Sequence, residues 1–224
     1  MKLPSAIQTG LVTLAQVKRM LPWLVGAAVG CGILSLYVAR LSWMDVAAFA
    51  VLGILSIIAA ITYTLGKRPY GYYGFGDVAV FVFFSLVGVG GTFYLHTQQL
   101  SGIWLWPAVS FGSLTVGALN VNNIRDLSAD AQVGKNTVPV RIGRKAALCY
   151  HWCLITVSIV AVLVFLLCYV HTPWPYACLC TAPLLLRHGM LVSRQGPAQL
   201  TKQLQHLVLI IIAFVTCLST SLIV

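Results

Sequence analysis

Ala146-Ala-Leu-Cys-Tyr150-His-Trp-Cys-Leu-Ile155-Thr-Val-Ser-Ile-Val160-Ala-Val-Leu-Val-Phe165-Leu-Leu-Cys-Tyr-Val170 contains no Asp, Glu, Lys or Arg. About 20 mostly apolar residues let an α-helix cross the ~30 Å hydrocarbon core of a bilayer. This run is long enough to do so, and too long for a buried strand. Working outward, similar runs occupy residues 21–39, 46–66, 78–96, 103–121, 174–190 and 204–223. The run at 174–190 is the weakest, because Pro175 and Pro183 predict a kink or a partly re-entrant segment. The expected fold class is all-α. It is a polytopic transmembrane helical bundle of about seven helices, one domain over residues 1–224.

Composition supports this reading. The 224 residues are 59% hydrophobic and 8% charged, with a mean hydropathy of +0.92. Soluble domains are about 25% charged and 45–50% apolar. A soluble domain, a disordered tail, a collagen-like chain and a disulfide-stapled secreted scaffold are all excluded. The net charge of +10 is then no sign of a nucleic-acid partner, since a membrane protein carries its charge in loops. The seven cysteines form no CxxC pair and read as small apolar residues within helices. No cleavable signal peptide is expected, since no small-residue cleavage site follows the first apolar run.

The basic residues sort by loop. Thirteen of the fourteen Lys and Arg fall in the N-terminal segment and in the segments after the second, fourth and sixth runs. The alternate loops hold Arg40 alone. By the positive-inside rule this puts the N-terminus in the cytoplasm, of a bacterial inner membrane on the family resemblance below. It also puts the long polar loops 66–77 and 122–145 on the cytoplasmic side. Thr13 and Gln16 have capping-box spacing, so a helix is expected to begin there. Gly26 with Gly30, and Ser113 with Gly117, are four apart and predict close helix packing.

Asn120-Val-Asn-Asn-Ile-Arg-Asp-Leu-Ser-Ala-Asp130 carries the chemistry. Asn122, Asp126 and Asp130 lie at i, i+4 and i+8, on one face of a helix. Two carboxylates and an amide oxygen suit a hard divalent ion such as Mg2+, which usually completes its shell with waters and substrate phosphates. Arg125 and Lys135 flank them and suit phosphate oxygens. The chain has only four acidic residues, so placing two on this face argues against a merely solvated helix end. The other cytoplasmic loop, Tyr63-Thr-Leu-Gly-Lys67-Arg-Pro-Tyr70-Gly-Tyr-Tyr73-Gly-Phe-Gly-Asp77, combines two cations, four tyrosines and a carboxylate. Cations suit a diphosphate, and aromatic faces suit a passing carbocation. A snorkelling Lys/Arg pair within an interfacial aromatic belt is the simpler alternative for that loop. The five histidines show no metal-ligand spacing and read as structural.

These two loops, with Ser56–Thr64, Arg68–Tyr72, Gly74–Asp77, Gly134–Thr137 and Val140–Gly143, resemble the UbiA superfamily of intramembrane aromatic prenyltransferases. The Gly74–Asp77 loop resembles its 1,4-dihydroxy-2-naphthoate branch. The resemblance implies transfer of a polyprenyl group from polyprenyl diphosphate to 1,4-dihydroxy-2-naphthoate, with Mg2+ as cofactor. It implies that Asp126 and Asp130 bind the metal. Lys67, Arg68, Tyr70, Tyr72, Arg125 and Lys135 would be catalytic, and Asn122, Asn123, Asp77 and Tyr73 would line the substrate. It also implies a nine-helix fold with an earlier Asp-rich motif. The first 44 residues hold no acid, so the chain corresponds to family helices three to nine and is expected to be inactive alone. A transporter or channel-like protein is the competing class. Such proteins commonly place ionisable groups at mid-membrane in broken helices, a pattern this sequence lacks.

Overall fold

The structure is a computed structural model and describes residues 13–64 and 69–223. It is a helical bundle, with no strand among the described residues. Helix α1 (Leu14–Val38) begins at Thr13. The Thr13 Oγ1 accepts from the Gln16 amide at 3.2 Å, and the Gln16 side chain accepts from the Thr13 amide at 2.8 Å. The expected capping box therefore forms. Helix α2 (Trp43–Thr64) follows after a short turn. A 3-10 turn at Tyr70–Tyr73 leads into a third spanning unit, Gly76–Thr97. That unit comprises α3 (Gly76–Val80), a π-helical stretch Phe81–Val87 and α4 (Gly88–Thr97).

Helix α5 (Leu105–Arg125) is followed by the short α6 (Leu127–Gln132) and the long α7 (Val138–Tyr169). A bend interrupts α7 at Gly143, whose φ of 79° and ψ of 163° leave the helical region. That backbone conformation is essentially restricted to glycine. The chain closes with α8 (Ala182–Arg194) and α9 (Pro197–Ile223).

Six helical units are long and apolar enough to cross a membrane. They match six of the seven expected runs. The seventh differs in kind. Residues Trp174–Thr181 form a 3-10 helix that runs directly into α8. Pro175 and Pro183 lack the N–H that an α-helix needs, and Pro183 sits in the first turn of α8, where that loss is tolerated. At about 2.0 Å per 3-10 residue and 1.5 Å per α residue, the combined segment extends roughly 35 Å.

The core lies among α5, α7, α9 and the 3-10 segment. It includes Leu114, Val121 and Ile124 of α5, Ile155 and Leu166 of α7, and Leu200, Leu207 and Phe214 of α9. Small and polar residues let these helices approach, as expected where lipid supplies no hydrophobic drive between helices. The Ser110 and Ser158 hydroxyls share a hydrogen bond of 3.0 Å between α5 and α7. Gly117 faces the His151 ring, in keeping with the expected packing role. Gly26 and Gly30 differ: a Cβ at either would meet nothing within 4 Å. Helix α1 instead presents apolar side chains such as Trp23, Ile33 and Leu34 outward, as a lipid-facing helix does.

The π stretch is seated on α5. The Ser85 hydroxyl donates to the Ala108 carbonyl, and a Cβ on Gly112 would lie 2.6 Å from Ser85 Oγ and 2.8 Å from Phe81. Gly112→Ala should therefore lower stability by about 1–3 kcal/mol, the usual range for overpacking. Gly30→Ala, with open space around it, should be neutral or stabilising by up to about 1 kcal/mol. Thermal unfolding of both variants in detergent checks the contrast.

Candidate active site

The site is built where α5 ends. Asp126 leaves the helix at φ −92°, ψ 7°, so the expected single helix through Asn122, Asp126 and Asp130 is broken there. Backbone hydrogen bonds nevertheless keep the i→i−4 pattern across the break. The Asp126 amide donates to the Asn122 carbonyl at 3.1 Å, and the Asp130 amide to the Asp126 carbonyl at 2.8 Å. The three side chains thus stay on consecutive turns. Asp126 is 9% exposed and Asp130 1% exposed.

Each carboxylate is held by a cation. Arg125 forks onto Asp126, with Nε and Nη2 donating at 2.9 Å to its two oxygens. The same Nη2 donates at 2.7 Å to Asn122 Oδ1. Lys135 Nζ donates at 3.0 Å to Asp130 Oδ2. A turn with Gly134 at φ +70° brings Lys135 back, and its amide also donates to the Asp130 carbonyl. Such pairing is required, because a buried charge deprived of its partner typically costs about 3–5 kcal/mol.

The tyrosine loop is clasped to this end of the bundle. The Asn136 amide donates to the Tyr72 carbonyl at 2.8 Å. Arg141 donates through Nη2 to the Tyr73 carbonyl and through Nε to the Asn136 carbonyl. Gly74 has φ +77°, and a Cβ there would come within 2.9 Å of the Asn136 carbonyl oxygen, so this turn needs glycine. The Tyr70 hydroxyl donates to the Ala59 carbonyl at 2.8 Å, and its ring meets Tyr63 edge-on at 5.4 Å. Burial, with Tyr63 beside it, raises the Tyr70 pKa and keeps the phenol a donor. The Tyr63 and Tyr70 rings line an apolar cavity of about 540 Å³ with Ala59, Ala79, Val80 and Phe83. The Tyr72 and Tyr73 rings are exposed.

Asp77 opens α3 and is 8% exposed, with Oδ2 lacking a hydrogen-bond partner. The Tyr150 side chain of α7 reaches its carboxyl. Asn123, 4% exposed, likewise leaves Oδ1 without a partner. Asn120 donates to the Ala147 carbonyl at 3.0 Å and ties α5 to α7. Lys67 and Arg68 lie outside the described residues. Sequence reading missed the placement of Arg141 and Tyr150. In the sequence Arg141 is one loop cation among several, and Tyr150 lies inside an apolar run where nothing signals a carboxylate partner.

No group of three or more His, Cys, Asp or Glu is placed to hold a metal among the described residues. The donors at the end of α5 are nonetheless all oxygens, two carboxylates with neighbouring amide groups. That chemistry fits a hard cation whose remaining shell comes from water and phosphate.

The profile of the UbiA prenyltransferase family matches residues 6–218. A 1,4-dihydroxy-2-naphthoate octaprenyltransferase of Haemophilus influenzae is 40% identical over 195 residues, covering 87% of this chain and 63% of that protein. The protein of the same name from Escherichia coli is 41% identical over 189 residues, covering 84% and 61%. One from Mycobacterium tuberculosis is 40% identical over 149 residues, covering 66% and 50%. The chain therefore spans half to two thirds of these relatives' length. No solved structure matches it.

Arg141→Gln removes two hydrogen bonds that hold the tyrosine loop. Amide exchange measured by mass spectrometry should accelerate about tenfold or more in Tyr70–Gly74, since a charged hydrogen bond contributes ~1.5–3 kcal/mol. Exchange in the buried middle of α5 should stay unchanged.

Proposed function

The chain belongs to the UbiA prenyltransferase family, and from that premise we propose that it transfers a polyprenyl group from its diphosphate to 1,4-dihydroxy-2-naphthoate. The observation that carries the proposal is the charge-balanced cluster at the end of α5. Asp126 and Asp130 lie on consecutive turns, each already paired with a cation of the kind that holds phosphate oxygens. The acceptor is taken from the names of relatives at 40–41% identity.

Asp126 and Asp130 would hold Mg2+, with Asn122 and Asn123 as neighbouring oxygen donors. When bound, the ion would neutralise charge on the diphosphate. Arg125 and Lys135 release the carboxylates and turn to the diphosphate oxygens, Arg125 as a bidentate fork and Lys135 as a point charge. Lys67 and Arg68 add to this positive field. The allylic carbon–oxygen bond breaks, and diphosphate leaves with the electron pair. Aromatic faces at Tyr63 and Tyr70 favour the resulting allylic cation, and the apolar cavity beside them excludes water that would quench it. The exposed rings of Tyr72 and Tyr73, with Asp77, lie on the acceptor side. The ring carbon bearing the carboxylate attacks the cation. Loss of that carboxylate as carbon dioxide returns its bonding pair to the ring.

The active end faces the cytoplasm of a bacterial inner membrane, a reading supported by the thirteen basic residues in alternate loops. A transporter reading is less well supported. Asp45 and Asp77 stand in the first turns of α2 and α3, and Asp126 and Asp130 stand beyond the end of α5. No acid therefore lies at the middle of a span.

Binding of a non-hydrolysable prenyl thiodiphosphate to membranes containing the chain should depend on Mg2+. Asp126→Asn and Asp130→Asn should each abolish that dependence. In a version extended to the relatives' full length, either substitution should lower release of labelled carbon dioxide from carboxyl-labelled naphthoate by about 10²-fold or more, the usual effect of removing one electrostatic stabiliser. Wild-type binding and release in both variants would refute the assignment. In the same binding assay, Lys67→Gln with Arg68→Gln should weaken the thiodiphosphate while membrane insertion stays normal. Normal binding by the inserted double variant would return those two residues to a snorkelling role.

A further inference from the structure

A second polar cluster lies between α8 and α9, around a cavity of about 280 Å³. Its polar lining is Arg187 and His188 from α8 and Gln203 and His206 from α9. Arg187 and His206 are exposed at its rim, whereas His188 is 2% exposed and Gln203 is 4% exposed. The His188 ring and the Gln203 side chain adjoin each other, but neither ring nitrogen of His188 makes a hydrogen bond of good geometry, nor does Gln203 Oε1. Gln203 Nε2 is already engaged, donating to Gln195 Oε1 at 3.0 Å. Buried polar atoms left this way are costly, commonly about 1–3 kcal/mol each. They mark a place where a polar ligand restores the missing bonds.

The sign of that ligand follows from the charges. No carboxylate lines the cavity. The ion pairs among the described residues are Arg125–Asp126 and Lys135–Asp130, so no carboxylate among those residues pairs with Arg187. The Arg187 guanidinium is the charged group at the opening, and its sign favours an anion. Arg187 presents a planar fork suited to phosphate oxygens.

The surroundings identify the source of the phosphate. The rest of the wall is aliphatic, including Leu184, Leu191 and Leu209. Leu184 and Leu209 are exposed on the outer surface of the bundle. Arg187 stands seven residues before the end of α8 at Arg194, about 10 Å of helix at 1.5 Å per residue. Arg194 ends α8 and Lys202 lies in the second turn of α9, and such cations belong at a membrane–water boundary. The cavity thus sits at the depth where headgroup phosphates meet acyl chains. A free anion has no use for its apolar wall, and a bare acyl chain has none for its guanidinium.

We propose that this cavity is a binding site for the phosphate headgroup of a membrane lipid. Arg187 and His206 engage the phosphate oxygens, His188 donates a further hydrogen bond, and an acyl chain lies along Leu184 and Leu209. The site does not depend on the prenyl-transfer reading.

Native mass spectrometry of the detergent-solubilised full chain tests it. The probes are phosphatidylglycerol, diacylglycerol with the same acyl chains, and inorganic phosphate. Phosphatidylglycerol should be retained at one copy per chain, and diacylglycerol should be at least about tenfold weaker, as loss of charged hydrogen bonds predicts. Arg187→Gln with His206→Gln should weaken phosphatidylglycerol by a similar factor, while Arg187→Lys retains part of the binding. These changes are all on exposed side chains, and thermal unfolding should match the wild type. Equal retention of diacylglycerol would overturn the proposal in favour of a plain apolar groove. Displacement of the lipid by millimolar phosphate would overturn it in favour of a free-ion site. Unchanged lipid retention in the double variant would also overturn it.

Discussion

The bilayer core offers no water to solvate a charge, so acidic groups must sit at helix ends and be paired there. Asp126 and Asp130 obey that constraint at the end of α5, through the Arg125 fork and the Lys135 ammonium. Much of the local architecture follows from it. The helix breaks at Asp126, so that its carboxylate can turn toward the neighbouring arginine. The Gly134 turn returns Lys135 to Asp130. The next residues then clasp the tyrosine loop through Asn136 and Arg141. A single electrostatic requirement thus brings two sequence-distant cytoplasmic loops to one end of the bundle.

The same pairing supplies the chemistry proposed for the site. The cations that neutralise the carboxylates are those that would receive the diphosphate. Substrate arrival is therefore an exchange of partners rather than the creation of new buried charge. The Tyr63 and Tyr70 rings line an apolar cavity. The polar groups that would take the leaving diphosphate and the tyrosines beside the space that would take the prenyl chain both belong to the two loops clasped at one end. This arrangement lets ionisation occur next to a water-poor space.

Much of this was legible in the sequence, for reasons tied to particular residues. Long apolar runs fix spanning helices because backbone groups in lipid must bond within the helix, and six runs appear as such. The Thr13–Gln16 box was readable because it is local. The Asn122–Asp126–Asp130 spacing was readable because i, i+4 bonding survives the break at Asp126. Long-range partners were not readable. Nothing near Tyr150 signals Asp77, and nothing near Arg141 signals the Tyr73 carbonyl. The buried contact of His151 with His188, with ring centroids 5.3 Å apart, joins residues on two helices that scattered histidines could not reveal. Gly26 and Gly30 show the opposite failure: their spacing permits packing, but no neighbour within the described residues uses it.

In the proposed mechanism Arg125 and Lys135 yield the carboxylates of Asp126 and Asp130 to a divalent ion only when a diphosphate takes their place. Electron paramagnetic resonance of Mn2+, standing in for Mg2+, measures this directly on the purified chain. Mn2+ should bind weakly when added alone, because both carboxylates are then engaged by cations. It should bind with clearly higher affinity once a non-hydrolysable prenyl diphosphate analogue is present, and the gain should vanish in Asp126→Asn. Tight Mn2+ binding without the analogue, or a gain that persists in Asp126→Asn, would show that no such exchange of partners takes place.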